Sequence, residues 1–142
     1  MKESLGLEVS REVEIRVCPL LQLSEKADDS SSPTVGAFDD KEGVGVLTIR
    51  PGLGGRVLVQ VIAHEWTHAW QSENCPRGQD LKVHEGFAQW VTGELLRELG
   101  WDREFENLST REDFYGEAYH WAAEFENMNG RAALFQFVKK AR

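Results

Sequence analysis

Residues 56–73 read R-V-L-V-Q-V-I-A-H-E-W-T-H-A-W-Q-S-E, and this stretch decides the fold and the chemistry that we expect. Its apolar residues recur at helical intervals, which predicts a long helix. His64 and His68 lie four residues apart, so both imidazoles project from one face, roughly 6 Å apart. That spacing lets two ring nitrogens reach one metal ion, while Glu65 lies beside them as a base for water. The alternative without a metal site is an ordinary helix that carries two surface or core histidines.

A third metal ligand has to come from elsewhere, because a catalytic zinc usually takes three protein ligands. The extended pattern H-E-x-x-H-x-x-G-x-x-H is excluded, since Gln71 and Asn74 stand where it needs Gly and His. We choose Glu85, because a turn at residues 74–79 would bring the next helix back beside the motif. Gly86 would then let the two helix backbones approach closely. The other candidates are His84, which points about 100° away on a helix, His120 and the acidic residues around Glu94.

The catalytic roles follow from this arrangement. Glu65 is expected to act as general base and to pass its proton to the leaving amine. A developing oxyanion needs a further donor, and Tyr115 and Tyr119 are available on one face of a later helix, with His120 beside them. The alternative that these rings only pack stays open. Carboxylates that orient the ligand imidazoles are sought among Glu94, Glu117 and Asp113.

The order of elements predicts an α+β fold, with a small N-terminal sheet followed by about four helices that carry the metal site. Strands are expected at residues 11–17, 35–38 and 44–50, with a polar loop at 24–34. The third strand is expected in the core, or as an edge that adds a peptide strand. Asp80 is expected to cap a helix that ends near Gly100, and a capping box at Ser109 and Glu112 to open the next. Residues 131–140 are expected to form the last helix. We expect a single domain of residues 1–142, either complete or excised from a longer chain.

The composition limits the classes of partner. The net charge of −8 disfavours nucleic acid, whose phosphates would be repelled. No apolar run is long enough for a membrane span, and the N-terminus lacks the apolar core of a signal peptide. The only two cysteines, Cys18 and Cys75, are expected to be reduced thiols in a cytoplasmic protein. Four of the five tryptophans fall in the helical region, where they are expected to form core.

The pair H-E-W-T-H and E-G-F-A-Q resembles the gluzincin peptidases, in which a glutamate on the following helix is the third zinc ligand. Residues 44–71, with C-P-L-L-Q-L at 18–23 and Y-G-E-A at 115–118, are similar to the peptidase domain linked to LIM zinc fingers in plant organ-size regulators. The resemblance implies a zincin-like fold and one Zn²⁺ held by His64, His68 and Glu85. It also implies Glu65 as catalytic acid and base, with Tyr115, and less well Tyr119, assisting the oxyanion.

The chain also departs from those plant proteins. It has neither the cysteines of a LIM domain nor an obvious ubiquitin-binding helix, so ubiquitin-linked regulation is not carried over. We interpret it as a minimal version, of bacterial type, or an excised catalytic domain. The expected function is that of a zinc-dependent endopeptidase acting on a protein or peptide. The alternatives are a catalytically silent zinc-bearing interaction domain, which has no need of Glu65, and a zinc hydrolase of small amides.

Overall fold

The computed structural model describes residues 13–17, 36–41, 44–49 and 54–141, with side chains from residue 54 onward. The predicted loop at 24–34 and Cys18 lie outside the described residues. Five helices follow one another in the continuous stretch. They are α1 (Gly55–Asn74), α2 (Leu81–Glu98), α3 (Asp102–Ser109), α4 (Phe114–Asn129) and α5 (Arg131–Lys140).

Three short strands precede the helices: β1 (Val13–Val17), β2 (Gly36–Lys41) and β3 (Val44–Ile49). They pair in the order β1-β3-β2, with β1 parallel and β2 antiparallel to β3. Strands β2 and β3 lie against α1. Because β3 is hydrogen-bonded on both sides, it has no free edge, and the suggestion that it adds a peptide strand is wrong.

The prediction of an α+β, zincin-like fold is also wrong. The body formed by residues 54–141 is 82% helical, in five helices, and contains no strand. Every buried apolar side chain among these residues lies on a helix, so helix-on-helix packing forms the core that surrounds the candidate site. The alternating patterns near the N-terminus predicted the strands correctly. The fold class was assigned from those strands, although the helices form the core.

The helix boundaries confirm some sequence signals and correct others. The Asp80 carboxylate accepts hydrogen bonds from the N–H groups of Lys82 and Val83, so it caps α2 as predicted. Gly100, at φ +72°, follows the end of that helix. The capping box at Ser109 is wrong, because Ser109 is the last residue of α3.

Helix α4 is capped instead by Asp113, whose Oδ1 accepts from the Gly116 N–H at 3.1 Å. Residues 102–109 form the extra helix α3, which raises the number of helices in the described body from the expected four to five. The Ser109 hydroxyl donates to the Glu106 carbonyl, a local bond at a helix end rather than a helix start.

One hydrophobic cluster joins four of the helices. Its buried members are Trp70 on α1, Val83, Phe87, Trp90 and Val91 on α2, Ala122 on α4, and Leu134 and Val138 on α5. The Phe135 ring of α5 meets the rings of Trp70, Phe87 and Trp90 edge-on, at centroid distances of 5.8, 5.2 and 6.0 Å. Trp66 and Trp121 pack against the same cluster, so the expected core role of the four tryptophans is confirmed.

Gly86 allows a close helix approach, although not the one predicted. A Cβ at this position would lie 2.5 Å from the Ala118 carbonyl oxygen and 3.2 Å from the Trp121 ring, both on α4. The glycine therefore lets α2 approach α4, rather than α1. Glu85, the residue before it, contacts His64 and His68 on α1.

Candidate metal site

Three side-chain atoms from α1 and α2 form a tight triangle. The Oε2 atom of Glu85 lies 3.0 Å from His64 Nε2 and 3.2 Å from His68 Nε2. The two Nε2 atoms lie 3.0 Å apart. The predicted position of Glu85, brought beside the paired histidines by the turn after α1, is therefore confirmed.

Gln71 determines which nitrogen of His68 carries hydrogen. Its Nε2 donates to the His84 carbonyl oxygen at 2.9 Å, which directs its Oε1 to His68 Nδ1 at 2.7 Å. A carbonyl oxygen only accepts hydrogen bonds, so His68 Nδ1 is the donor. The lone pair of His68 Nε2 therefore points into the triangle when the ring is neutral.

His64 is held in the same way by a second glutamine. The Oε1 atom of Gln89, on α2, lies 3.0 Å from His64 Nδ1. Gln89 is 5% exposed and Gln71 is 1% exposed, so neither amide exchanges its partner readily with water. Both imidazoles thus present Nε2 to the same point, as ligands of one metal ion do.

This donor set fits a cation. Two imidazole lone pairs and a carboxylate oxygen converge within 3.2 Å, and they repel one another unless positive charge lies among them. A tetrahedral zinc with bonds of 2.0–2.1 Å would separate its ligand atoms by about 3.3–3.4 Å. His64, Glu65 and His68 also offer atoms within 4.8 Å of one another, and this group can hold a metal ion.

The protonation of the metal-free site reflects the same crowding. Burial alone would lower the pKa of His68, but the Glu85 carboxylate, aided by Glu65 and Gln71, raises it to about 9. Burial alone would raise the pKa of Glu85, yet His68 and His64 hold it far below its usual range. Without a metal, a proton on His68 therefore supplies the positive charge that the triangle needs.

His84 lies against the site without joining the triangle. Its ring stacks on the His68 ring, with centroids 4.5 Å apart and planes at 10°. Burial, together with the neighbouring His68, lowers the pKa of His84 to about 4, so the ring is neutral at pH 7. His84 thus supports one face of the His68 ring, and its backbone carbonyl holds Gln71.

The proposed catalytic residues are only partly brought together. Glu65 is 7% exposed and lies beside the histidines. The Tyr115 ring lies edge-on to the His64 ring, with centroids 6.4 Å apart. Tyr119 faces the other way, into a second core cluster with Leu96 and Leu108. Exposed His120 packs its ring on Tyr119 and takes no part in the triangle.

The carboxylates expected to orient the histidines have other partners. Glu94 accepts hydrogen bonds from Arg97 and Arg131 at 3.2 and 2.8 Å. Asp113 caps α4, and Glu117 is exposed on that helix. The prediction is wrong because the Nδ1 atoms of His68 and His64, which face away from the triangle, pair with the neutral amides of Gln71 and Gln89.

Sequence reasoning missed these two glutamines, although a signal was available. Gln71 follows His68 by three residues and Gln89 follows Glu85 by four, so each shares a helical face with a metal-binding candidate. Carboxylates were the expected partners of the imidazoles, whereas an amide oxygen is an equally suitable acceptor.

In comparisons with protein-family models, curated proteins and solved structures, no match to the chain was found. Among the residues that the structure describes, the helices are too short or too polar to cross a bilayer. The proposed function therefore depends on the geometry of the site.

Proposed function

We propose that this chain is a zinc-dependent metallopeptidase, with one zinc ion held by His64, His68 and Glu85. The observation that carries the proposal is the triangle of two Nε2 atoms and one carboxylate oxygen, with edges of 3.0–3.2 Å. Two imidazoles and one carboxylate are a donor set of catalytic zinc sites, which leave one position open. When bound, zinc would lower the pKa of a water and polarise the scissile carbonyl.

Glu65 is the proposed general base. Its carboxylate is buried, and a carboxylate oxygen lies within 4.8 Å of a ring nitrogen of His64 and of His68. It accepts a proton from the attacking water and gives that proton to the nitrogen of the leaving amine. A domain that only binds a partner has no use for this carboxylate, which favours an enzyme over the silent interaction domain.

Tyr115 is the proposed donor to the oxyanion, since its ring lies beside His64. Tyr119 is not supported in this role, because its ring is 7% exposed and belongs to the core. The choice of peptide bonds over small amides rests on the resemblance of H-E-W-T-H and E-G-F-A-Q to the gluzincin motifs. The cytoplasmic location stays a prediction.

The test is proteolysis of a casein-type substrate and a peptide library by the zinc-loaded protein, with and without a chelator. Glu65→Gln should retain the zinc and lose about 10²–10⁴-fold in kcat, the usual contribution of a general base. Glu117→Gln is the matched control, because it makes the same change at an exposed position of α4 and should leave the rate unchanged.

Cleavage that persists at the wild-type rate in Glu65→Gln would overturn the mechanism. A zinc-loaded wild-type protein that cleaves no peptide would favour the interaction domain. Turnover of small amides without turnover of peptides would favour a zinc hydrolase of small amides.

A further inference from the structure

We infer that Gln71 is a positioning residue that fixes the His68 ring with Nε2 toward the metal and ties that ligand to the helix that carries Glu85. The inference rests on the proposed metal site and assigns a function to a residue outside the three ligands and the base. Its basis is the pair of hydrogen bonds that one buried amide makes in opposite directions.

The first bond sets the tautomer of the ring. Gln71 Oε1 accepts from His68 Nδ1 at 2.7 Å, which keeps the hydrogen on the nitrogen that faces away from the triangle. The amide cannot rotate by half a turn to offer its NH₂ group instead. That rotation would break the bond to the His84 carbonyl and place two oxygens against each other.

The second bond connects the two ligand-bearing helices. Gln71 Nε2 donates to the carbonyl oxygen of His84, the residue that immediately precedes Glu85 on α2. The same residue stacks its ring on His68. One side chain thus sets the position of an α1 ligand relative to the backbone that carries the α2 ligand.

Gln89 provides an internal comparison. It accepts from His64 Nδ1 at 3.0 Å, and it lies on α2, so it also links the two helices. Gln71 accepts one hydrogen bond from His68 and donates another to the His84 carbonyl, so it fixes both a ligand ring and the backbone beside Glu85. We therefore expect a larger effect from substitution of Gln71 than of Gln89.

The experiment measures two properties of the full chain. The first is zinc affinity, by competition with a chromophoric chelator. The second is the Nδ1–H proton resonance of His68 in the zinc-loaded protein, which a hydrogen bond to a buried acceptor protects from exchange with water. Gln71→Met removes both hydrogen bonds with little change in volume, and Gln71→Glu keeps an acceptor for Nδ1 while losing the donor.

Gln71→Met should weaken zinc binding by about 10–100-fold, the usual effect of removing a partner of a metal-ligating histidine. It should also lose the Nδ1–H resonance, whereas Gln71→Glu should keep it. The matched control is Gln60→Met on the same helix, where the amide donates a 3.3 Å bond to the Arg56 carbonyl one turn earlier. Its zinc affinity and His68 resonance should equal those of the wild type.

Wild-type affinity in a folded Gln71→Met protein that keeps the Nδ1–H signal would overturn the inference while leaving the proposed function intact. A wild-type protein that binds no zinc would overturn both. Should Gln71→Met fail to fold, Gln71→Glu decides alone, since loss of its Nδ1–H signal would contradict the acceptor role.

Discussion

His68 links metal binding to pH. Although burial opposes it, the neighbouring Glu85 raises the pKa of His68 to about 9 in the metal-free protein, from the ordinary 6.5. A metal must displace that proton, so zinc affinity should rise by about tenfold per pH unit from neutral pH until it levels off near pH 9. Zinc binding at pH 7 should release about one proton from this site.

Isothermal titration calorimetry in two buffers of different protonation enthalpy measures the number of protons released.

The raised pKa of His68 also makes the stability of the metal-free protein depend on pH. A raised pKa stabilises the folded state fully below pH 6.5, and this contribution is lost as the pH rises through about 9. Zinc binding without proton release at pH 7 would contradict the assignment of His68 as a ligand.

The two tyrosines of α4 have different expected roles, one in the site and one in the core. Tyr115→Phe should lower kcat by about 10-fold or more at unchanged zinc content, because a donor to the oxyanion is lost. Tyr119→Phe should leave kcat unchanged, since Tyr119 packs with Leu96 and Leu108. Steady-state kinetics of both variants check this, and equal rate losses would refute the separate roles.

Among the elements, the contact between α2 and α4 depends on Gly86. A Cβ at this position would meet the Ala118 carbonyl oxygen at 2.5 Å, so the helices would have to move apart. Gly86→Ala should therefore lower the free energy of unfolding by about 1–3 kcal/mol, the usual cost of overpacking. Denaturant unfolding of the metal-free protein measures it.

Gly55→Ala is the matched control, because no atom of the described residues lies within 4 Å of a Cβ at the start of α1. It should be neutral or stabilise the protein by up to about 1 kcal/mol through helix propensity. Equal stabilities of the two variants would show that the close approach of α2 to α4 is not required.

The long helices could be predicted because their signals are local. The apolar period of α1 and the Asp80 cap of α2 were sufficient to define both elements. The start of α4 was missed, because the Ser109 and Glu112 pattern competed with Asp113, and only the folded chain shows which side chain accepts the backbone N–H. The fold class was also missed. Short sequence patterns predict single strands and helices, but they do not show which of these elements form the main core.

For the molecule as a whole, the candidate site lies where α1 and α2 meet above a shared core. Trp70 on one helix and Phe87 on the next belong to the same buried cluster, which fixes the hairpin. This is why the position of Glu85 could be predicted from the turn length. Helical spacing makes Gln71 and Gln89 candidates, but it does not show which ring nitrogen each amide meets, because that depends on side-chain rotamers in the folded hairpin.

We propose that three side chains from two helices hold one zinc ion. Elemental analysis after equilibration in a metal buffer, set where the wild type is mostly saturated, tests it directly for the wild type, Glu85→Ala and the exposed control Glu117→Ala. We predict one zinc per chain in the wild type and the control, with nearly none in Glu85→Ala. One zinc per chain in a folded Glu85→Ala protein, or none in the wild type, would contradict the claim.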